Sequence, residues 1–285
     1  TQHILQTLRA KGHDILGQEE GMLMLDMPER SARCERFSRW QESLDVPDSV
    51  RRRLSKSEME EYAGVTLDSP GWLYPDAGWI NLASLATSML ADAQNDAKGI
   101  DLVLNRRVSQ LNHDGQYWHL TLAAEGREIE TVRADLVVVA CAATALELLP
   151  ELELTKVHGQ ILSFAAPPEM VGLKRPLNCG HSLLPHGDGR FSWGASFRHK
   201  IDHPHILPEE TDKLRSDFEL CFGYQIEPEE MDLQVWAGLR CTQPSRLPMI
   251  GALAHHPEGL YVHLAHGARG SLSASLMMPH ELYQD

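Results

Sequence analysis

The chain is poor in positive charge, in cysteine and in long apolar runs, and each shortage removes a class of function. Lysine and arginine number 26 against 40 aspartates and glutamates, a formal net charge of −14. Gripping nucleic acid by the overall field needs clustered cations, so the charge argues against that mode of binding. Arg51-Arg52-Arg53, Arg106-Arg107 and Lys174-Arg175 are local basic clusters that read as solvated surface. Cys34, Cys141, Cys179, Cys221 and Cys241 make an odd set of five with no C-x-x-C pair, which argues against a disulfide framework or a thiolate zinc site and predicts buried free thiols. The longest apolar run, Leu136 to Ala143, is far short of the roughly 18 residues of a membrane span, and Thr1 opens no charged-then-apolar leader. A cytoplasmic protein without a membrane partner is expected. His203-Pro-His205, His255-His256 and His263 with His266 lack convergent further ligands, so no metal is expected. No G-x-G-x-x-G turn opens a helix anywhere; the closest glycines, Gly187 and Gly189, sit between extended stretches and read as a hairpin turn.

What is present is an ordinary globular composition, 42% hydrophobic and 23% charged, over 285 residues, more than one average domain. Leu260 to Ser275 reads as a buried strand, a glycine-rich turn and the start of a helix. At such a helix start the N–H groups of Gly267, Ala268, Arg269, Gly270 and Ser271 have no intrahelical partner and suit a phosphate or an electron-rich ring edge; plain connection chemistry is the alternative. Leu136 to Ala140 is β-branched on both faces, as in a central strand, and ends in the small residues Ala140, Cys141 and Ala142 where open α/β sheets bind cofactors. Aromatics are 6% of the chain, yet Trp72, Tyr74 and Trp79 fall in one short turn, which predicts that they line something. Helices are predicted with Ile4, Leu5 and Leu8 buried before Gly12; after Pro28, with Cys34, Phe37, Trp40, Gln41 and Leu44 on one face; from a Ser55–Glu58 capping box; and from Asn81 to Ala97, with Leu82, Leu85, Met89, Leu90 and Ala93 buried. Leu102 to Leu104 is predicted as a strand, Val108 to Leu122 as a hairpin turning at Asp114-Gly115, and residues 156–240 as a mostly antiparallel sheet covered by a helix over 209–221.

Trp236-Ala-Gly-Leu-Arg240, then Leu247-Pro-Met-Ile-Gly251, then a strand and His266-Gly-Ala-Arg-Gly270 resemble the closing segment of the FAD-dependent D-amino-acid oxidase and glycine oxidase superfamily. Ala134 to Ala142 and Val157-His-Gly-Gln-Ile161 fit the same family. Gly71-Trp-Leu-Tyr-Pro-Asp-Ala-Gly-Trp-Ile80 and Gly194-Ala-Ser-Phe-Arg198 are similar to the oxidoreductase domain of bifunctional tRNA 5-methylaminomethyl-2-thiouridine biosynthesis proteins. The resemblance implies an α/β (α+β) fold: a glutathione-reductase-like FAD-binding domain over 1–16, 81–155 and 241–285, lacking its first βαβ segment, and a substrate domain over 17–80 and 156–240 with a mostly antiparallel sheet. It implies FAD as cofactor, held by Val108, Ala140, Cys141, Ala142 and the turn Gly267, Ala268, Arg269, Gly270, Ser271 and Leu272. Arg240 is then the catalytic-site residue that forks a substrate carboxylate, with Trp72, Tyr74 and Trp79 around the substrate. The implied reaction is oxidation of the carboxymethylaminomethyl side chain of wobble uridine in tRNA to aminomethyluridine with release of glyoxylate, beside a fused or associated methyltransferase. A small-molecule glycine or sarcosine oxidase, and a non-catalytic fragment that has lost FAD binding, are the competing readings.

Overall fold

The computed structural model describes residues 2–26, 36, 39, 40, 42–96, 99–124 and 127–273, without the side chains of Ile129 and Leu272. The helix expected after Pro28, with Cys34, Phe37 and Gln41, lies mostly outside the described residues.

Local chemistry sets the helix ends. Helix α1 (Gln2–Ala10) buries Leu5 and Leu8 and is followed by Gly12 at φ 89°, a left-handed backbone that glycine adopts without strain. Helix α2 (Lys56–Ala63) starts at a capping box in which the Glu58 N–H donates to Ser55 Oγ and the Ser55 N–H donates to Glu58 Oε2 at 2.8 Å. Helix α3 (Leu82–Asp96) is capped by Asn81, whose Oδ1 accepts the Ser84 N–H at 2.9 Å. Its predicted buried stripe is only partly realised. Leu85 packs with Leu5, Leu8 and Ile15, but Leu82 and Met89 are exposed because α1 covers a single side of the helix.

Nine strands form the main sheet: β2 (Met22–Leu25), β3 (Arg52–Leu54), β4 (Gly71–Tyr74), β10 (Thr155–Ala165), β11 (Leu177–Asn178), β12 (Ser182–Pro185), β13 (Arg190–Gly194), β14 (Arg198–His199) and β15 (Gln234–Thr242). From one edge the order runs β15, β10, β13, β12, β11, β2, β4, β3, with β14 beside β13 on β10. Every pairing is antiparallel except β11 with β2, which joins residues far apart in sequence. One face carries Leu23, Leu73, Leu162, Phe164, Leu177, Leu183 and Trp193, all buried under α2 and helix α4 (Pro208–Phe222). Leu214 and Phe218 of α4 pack there, and the Trp193 indole N–H donates to Leu214 O at 2.8 Å. On the opposite face Ile161 and Trp236 are exposed, whereas Val157 and Trp72 are buried.

Two three-stranded sheets complete the fold. In one, β6 (Arg107–His113), β7 (Trp118–Ala124) and β8 (Arg127–Ala134) form an antiparallel meander; Asp114 Oδ1 closes the first turn by accepting the Gln116 and Tyr117 N–H groups. In the other, β9 (Val137–Val139) runs parallel to β17 (Leu260–Leu264), which pairs in turn with β16 (Met249–Ala252). A short ladder joins β1 (Gly17–Gln18) to β5 (Trp79–Ile80).

Two predictions need correction. Leu102 to Leu104 is exposed irregular chain rather than a strand: among the described residues no strand offers its backbone a ladder. Cys179 and Cys221 are joined as a disulfide that ties the chain after β11 to α4, so of the described cysteines only Cys141 and Cys241 are free thiols, and Cys141 is exposed. The pairing is a matter of tertiary proximity, 6.7 Å between Cα atoms across 42 residues, which spacing does not reveal. No described helix is long and apolar enough to cross a membrane.

Candidate functional site

Strand β15 alternates cleanly, with Gln234, Trp236 and Gly238 exposed and Val235, Ala237 and Leu239 half-buried. Its register against β10 sets Arg240 opposite Val157, Gly238 opposite Gly159 and Trp236 opposite Ile161. Arg240, Gly238 and Trp236 therefore share the face of the main sheet away from α2 and α4. The Arg240 guanidinium folds back over Gly159: a Cβ at that glycine would lie 2.3 Å from Nη1 and 2.9 Å from Cζ, so only glycine leaves the fork its place. Nη1 donates to Ser196 O at 3.2 Å, and Cζ stands 5.6 Å from the centre of the exposed Phe197 ring. Partial burial pushes the Arg240 pKa down, yet among the described residues no carboxylate lies within ion-pair distance of it. A half-desolvated cation without a counter-charge, above an open floor at Gly238, is built to receive an anion.

The chain that supplies Ser196 and Phe197 is held rigidly to β10. The Gln160 backbone N–H donates to Ser196 Oγ and the Ser196 N–H donates to Gln160 O, both at 3.0 Å. The fully buried Gln160 side chain donates to Leu207 O and Thr211 Oγ1 and accepts the Leu207 N–H, and a His158 ring nitrogen bonds His205 O at 2.9 Å. These anchors fix both ends of residues 196–207, which include β14, to β10.

The turn after β17 comes to the same place. The Gly267 N–H donates to Cys241 O at 2.9 Å, one residue past Arg240. The Arg269 N–H donates to His266 O at 3.1 Å. Two of the five N–H groups expected to be without partners are thus already used, one on β15 and one inside the turn, because Gly267 at φ 57° folds the turn back on β15 before the helix α5 (Gly270–Ser273) begins. Ala268, Arg269 and Ser271 are exposed, and Gly270 is half-buried; the Leu272 side chain lies outside the described residues.

A second locus lies at the carboxyl end of β9. Val108, Ala140 and Cys141 come together with Arg106, Leu111 and Thr144 around a cavity of about 480 Å³, with Arg107 paired to Glu147. Ala142, next in the chain, has φ 54°, a conformation that suits glycine. Small residues and this kinked backbone leave the strand end open to a ligand.

The aromatic block is not brought to Arg240. Trp72 and Tyr74 lie on β4, six strands from β15, or about 29 Å at the usual inter-strand spacing. The buried Trp72 indole packs between Arg51, 4.4 Å from its centroid, and Arg53 at 5.1 Å. Trp79 stands edge-on to His186 at 5.0 Å, above the β12–β13 turn. Its substrate-lining expectation and that of Trp72 and Tyr74 gain no geometric link to the guanidinium, since strand order rather than chain order sets the distance. The residues overlooked in the sequence are Gly159, Ser196, Phe197 and Trp236. Period-two alternation in Trp-Ala-Gly-Leu-Arg carries the signal for Trp236 and Gly238; the others follow only from the register of β10. Among the described residues no three His, Cys, Asp or Glu side chains converge as a metal site.

A parallel β9–β17 pair with a ligand-sized opening at its carboxyl end, and a large antiparallel sheet that presents a fixed guanidinium, suit an α/β protein that binds a cofactor at a strand end. The chain belongs to the FAD-dependent oxidoreductase family, DAO, which matches residues 1–277. FAD is the cofactor of that family. Its relatives include the tRNA 5-methylaminomethyl-2-thiouridine biosynthesis bifunctional protein MnmC of Stutzerimonas stutzeri, 31% identical over 95% of this chain and 44% of that protein. The MnmC of Pseudomonas aeruginosa strain UCBPP-PA14 is 30% identical over 97% of this chain and likewise 44% of its own length. The chain thus spans less than half the length of these relatives. Among solved structures, glycine oxidase from Geobacillus kaustophilus superposes with a TM-score of 0.73 at 22% identity, over 94% of this chain and 71% of that one. Iminodiacetate oxidase from Chelativorans sp. BNC1 gives 0.72, also at 22% identity, over 94% and 73%. These likenesses establish the α/β fold.

Proposed function

We propose that this chain is the oxidase part of a tRNA-modifying enzyme, acting on the carboxymethylaminomethyl side chain of wobble uridine, and that the unpaired Arg240 fork binds its carboxylate. In this reading residues 1–16, 81–155 and 241–285 form the FAD side and 17–80 with 156–240 the substrate side. The residues present suit the two ends of FAD. The cavity of Val108, Ala140 and Cys141, bordered by Ala142, suits the nucleotide end, and the turn Gly267 to Leu272 beside the open floor at Gly238 suits the flavin end. These 285 residues contain no G-x-G-x-x-G turn opening a helix for the pyrophosphate between them.

When bound, FAD would take a hydride from the methylene carbon between amine and carboxylate and pass the two electrons to dioxygen. The amine proton leaves to solvent, and water adds to the resulting imine to give aminomethyluridine and glyoxylate. Arg240 supplies two parallel donors that fix the carboxylate, and with it the adjacent methylene. Ser196 O and Phe197 hold the fork, and Gly159 leaves it room. The names of the bifunctional relatives support a tRNA substrate. A small secondary-amine substrate is the second reading, favoured by the structural likeness to iminodiacetate oxidase and glycine oxidase. Aerobic incubation with tRNA carrying the modification, followed by nucleoside mass spectrometry, separates them. Conversion to aminomethyluridine with glyoxylate supports the first reading; peroxide from sarcosine or glycine without tRNA conversion supports the second.

A further inference from the structure

We propose that Trp236 is a stacking platform for the target nucleobase, so that β15 holds the substrate at two points: its base on the indole and its carboxylate on Arg240. This rests on the reading above and adds a base-binding residue to it. Trp236 is 68% exposed, Ile161 opposite it is 40% exposed, and Phe197 is 54% exposed. Large apolar groups gathered around a half-buried guanidinium, on the sheet face away from α2 and α4, mark a binding surface. The chemistry of the rim selects the occupant. The Phe197 ring meets the His199 ring edge-on at 5.2 Å, and His199 shares the face of Val157 and Arg240, while Arg198 turns to the other face and pairs with the buried Glu210. Exposed aromatic rings beside a guanidinium that no described carboxylate neutralises match a splayed single-stranded nucleotide, with the base on a ring and an anionic group on the fork.

The spacing agrees. The guanidinium stands over Gly159, in the row of Gly238, and Trp236 is one row further along β15 on the same face. Two residues of strand separate these rows by about 7 Å. An extended methylene–amine–methylene arm places a carboxylate carbon about 6 to 7 Å from the centre of the pyrimidine that bears it. With the carboxylate on the fork, the base therefore reaches the indole, while Gly238, with no atom within 4 Å of where a Cβ would lie, leaves the arm an unobstructed floor.

The test is equilibrium binding of two anticodon stem-loop RNAs, one with the carboxymethylaminomethyl group on the wobble uridine and one with plain uridine, followed by fluorescence anisotropy. Stacking acts on the base, so Trp236→Ala is expected to weaken both RNAs by about 5- to 150-fold, with Trp236→Phe within about threefold of wild type. The fork acts on the arm, so Arg240→Ala is expected to weaken only the modified RNA. Trp236→Leu, which keeps apolar volume without a π face, should resemble Ala and guards against a folding defect in the Ala form. Equal affinities of wild type, Ala and Leu forms would overturn the stacking proposal alone. Weaker binding of both RNAs by Trp236→Ala with no effect of Arg240→Ala would overturn the carboxylate reading and leave the stacking one, and failure of the wild type to bind either RNA would overturn both.

Discussion

Replacing Gly159 with alanine displaces the proposed carboxylate fork without removing any of its charge. The added Cβ would lie 2.3 Å from Arg240 Nη1, and ordinary contact begins at 3.4 Å, so the guanidinium must retreat by about 1 Å. It would do so at the expense of its 3.2 Å bond to Ser196 O. The clash is with the mobile end of a long side chain, and Gly159 lies in the regular β10–β15 ladder, where alanine is tolerated. Global stability should therefore change by less than about 1 kcal/mol, since a Gly→Ala replacement also lowers the entropy of the unfolded chain. Catalysis should suffer far more. A misplacement of about 1 Å at a positioning group costs up to about 100-fold, close to 2.7 kcal/mol. The assay pairs thermal unfolding with single-turnover flavin reduction by an N-alkylglycine at equal flavin loading. An unchanged melting temperature with a 10- to 100-fold slower reduction is expected. Reduction within twofold of wild type would refute the argument that the fork must sit over Gly159.

Two further substitutions probe the scaffold and the cofactor cavity. Ser55→Ala should destabilise the chain by about 1 kcal/mol at neutral pH through loss of the α2 cap, read by denaturant unfolding. Bonds from the Ser55 backbone N–H and hydroxyl hold the Glu58 carboxyl below its ordinary value of 4.5. That contribution is present above pH 4.5 and is lost as pH falls through the lowered folded value, so the wild-type advantage should shrink in acid. Ala142→Gly relieves a left-handed alanine at φ 54° and should raise stability by up to about 1 kcal/mol, the strain relief exceeding the entropy that glycine adds to the unfolded chain. It should also tighten FAD, measured by flavin fluorescence; weaker flavin binding would mean that the alanine Cβ is part of the contact.

Short-range features were legible in the sequence because their causes are short-range. The Ser55–Glu58 box, the Asp114-Gly115 turn, the Asn81 cap and the β-branched Val137–Val139 strand each follow from neighbouring residues. The exposure of Leu82 and Met89 did not, since apolar spacing shows which face of α3 is greasy but not whether another element covers it. Arg240 was legible through its Trp-Ala-Gly-Leu-Arg context, and its unpaired state only in three dimensions. Trp72 and Tyr74 illustrate the converse: a conspicuous aromatic block sits six strands from the guanidinium because β11 pairs in parallel with β2, and no local pattern announces that pairing. The Cys179–Cys221 link and the room left by Gly159 are long-range for the same reason.

The central claim is that the Arg240 fork binds the glycine-like carboxylate. Single-turnover flavin reduction by carboxymethylaminomethyl-tRNA, compared among wild type, Arg240→Ala and Arg240→Lys at equal flavin loading, tests it most directly. Loss of a charge-assisted bidentate contact in a partly desolvated site costs about 2 to 4 kcal/mol, so the Ala form should be roughly 30- to 1000-fold slower in kcat/KM. Lysine should recover little of this, because a point-like ammonium cannot reproduce the planar fork. Rates within about threefold of wild type, under 1 kcal/mol, for either variant would contradict the claim and place the carboxylate elsewhere.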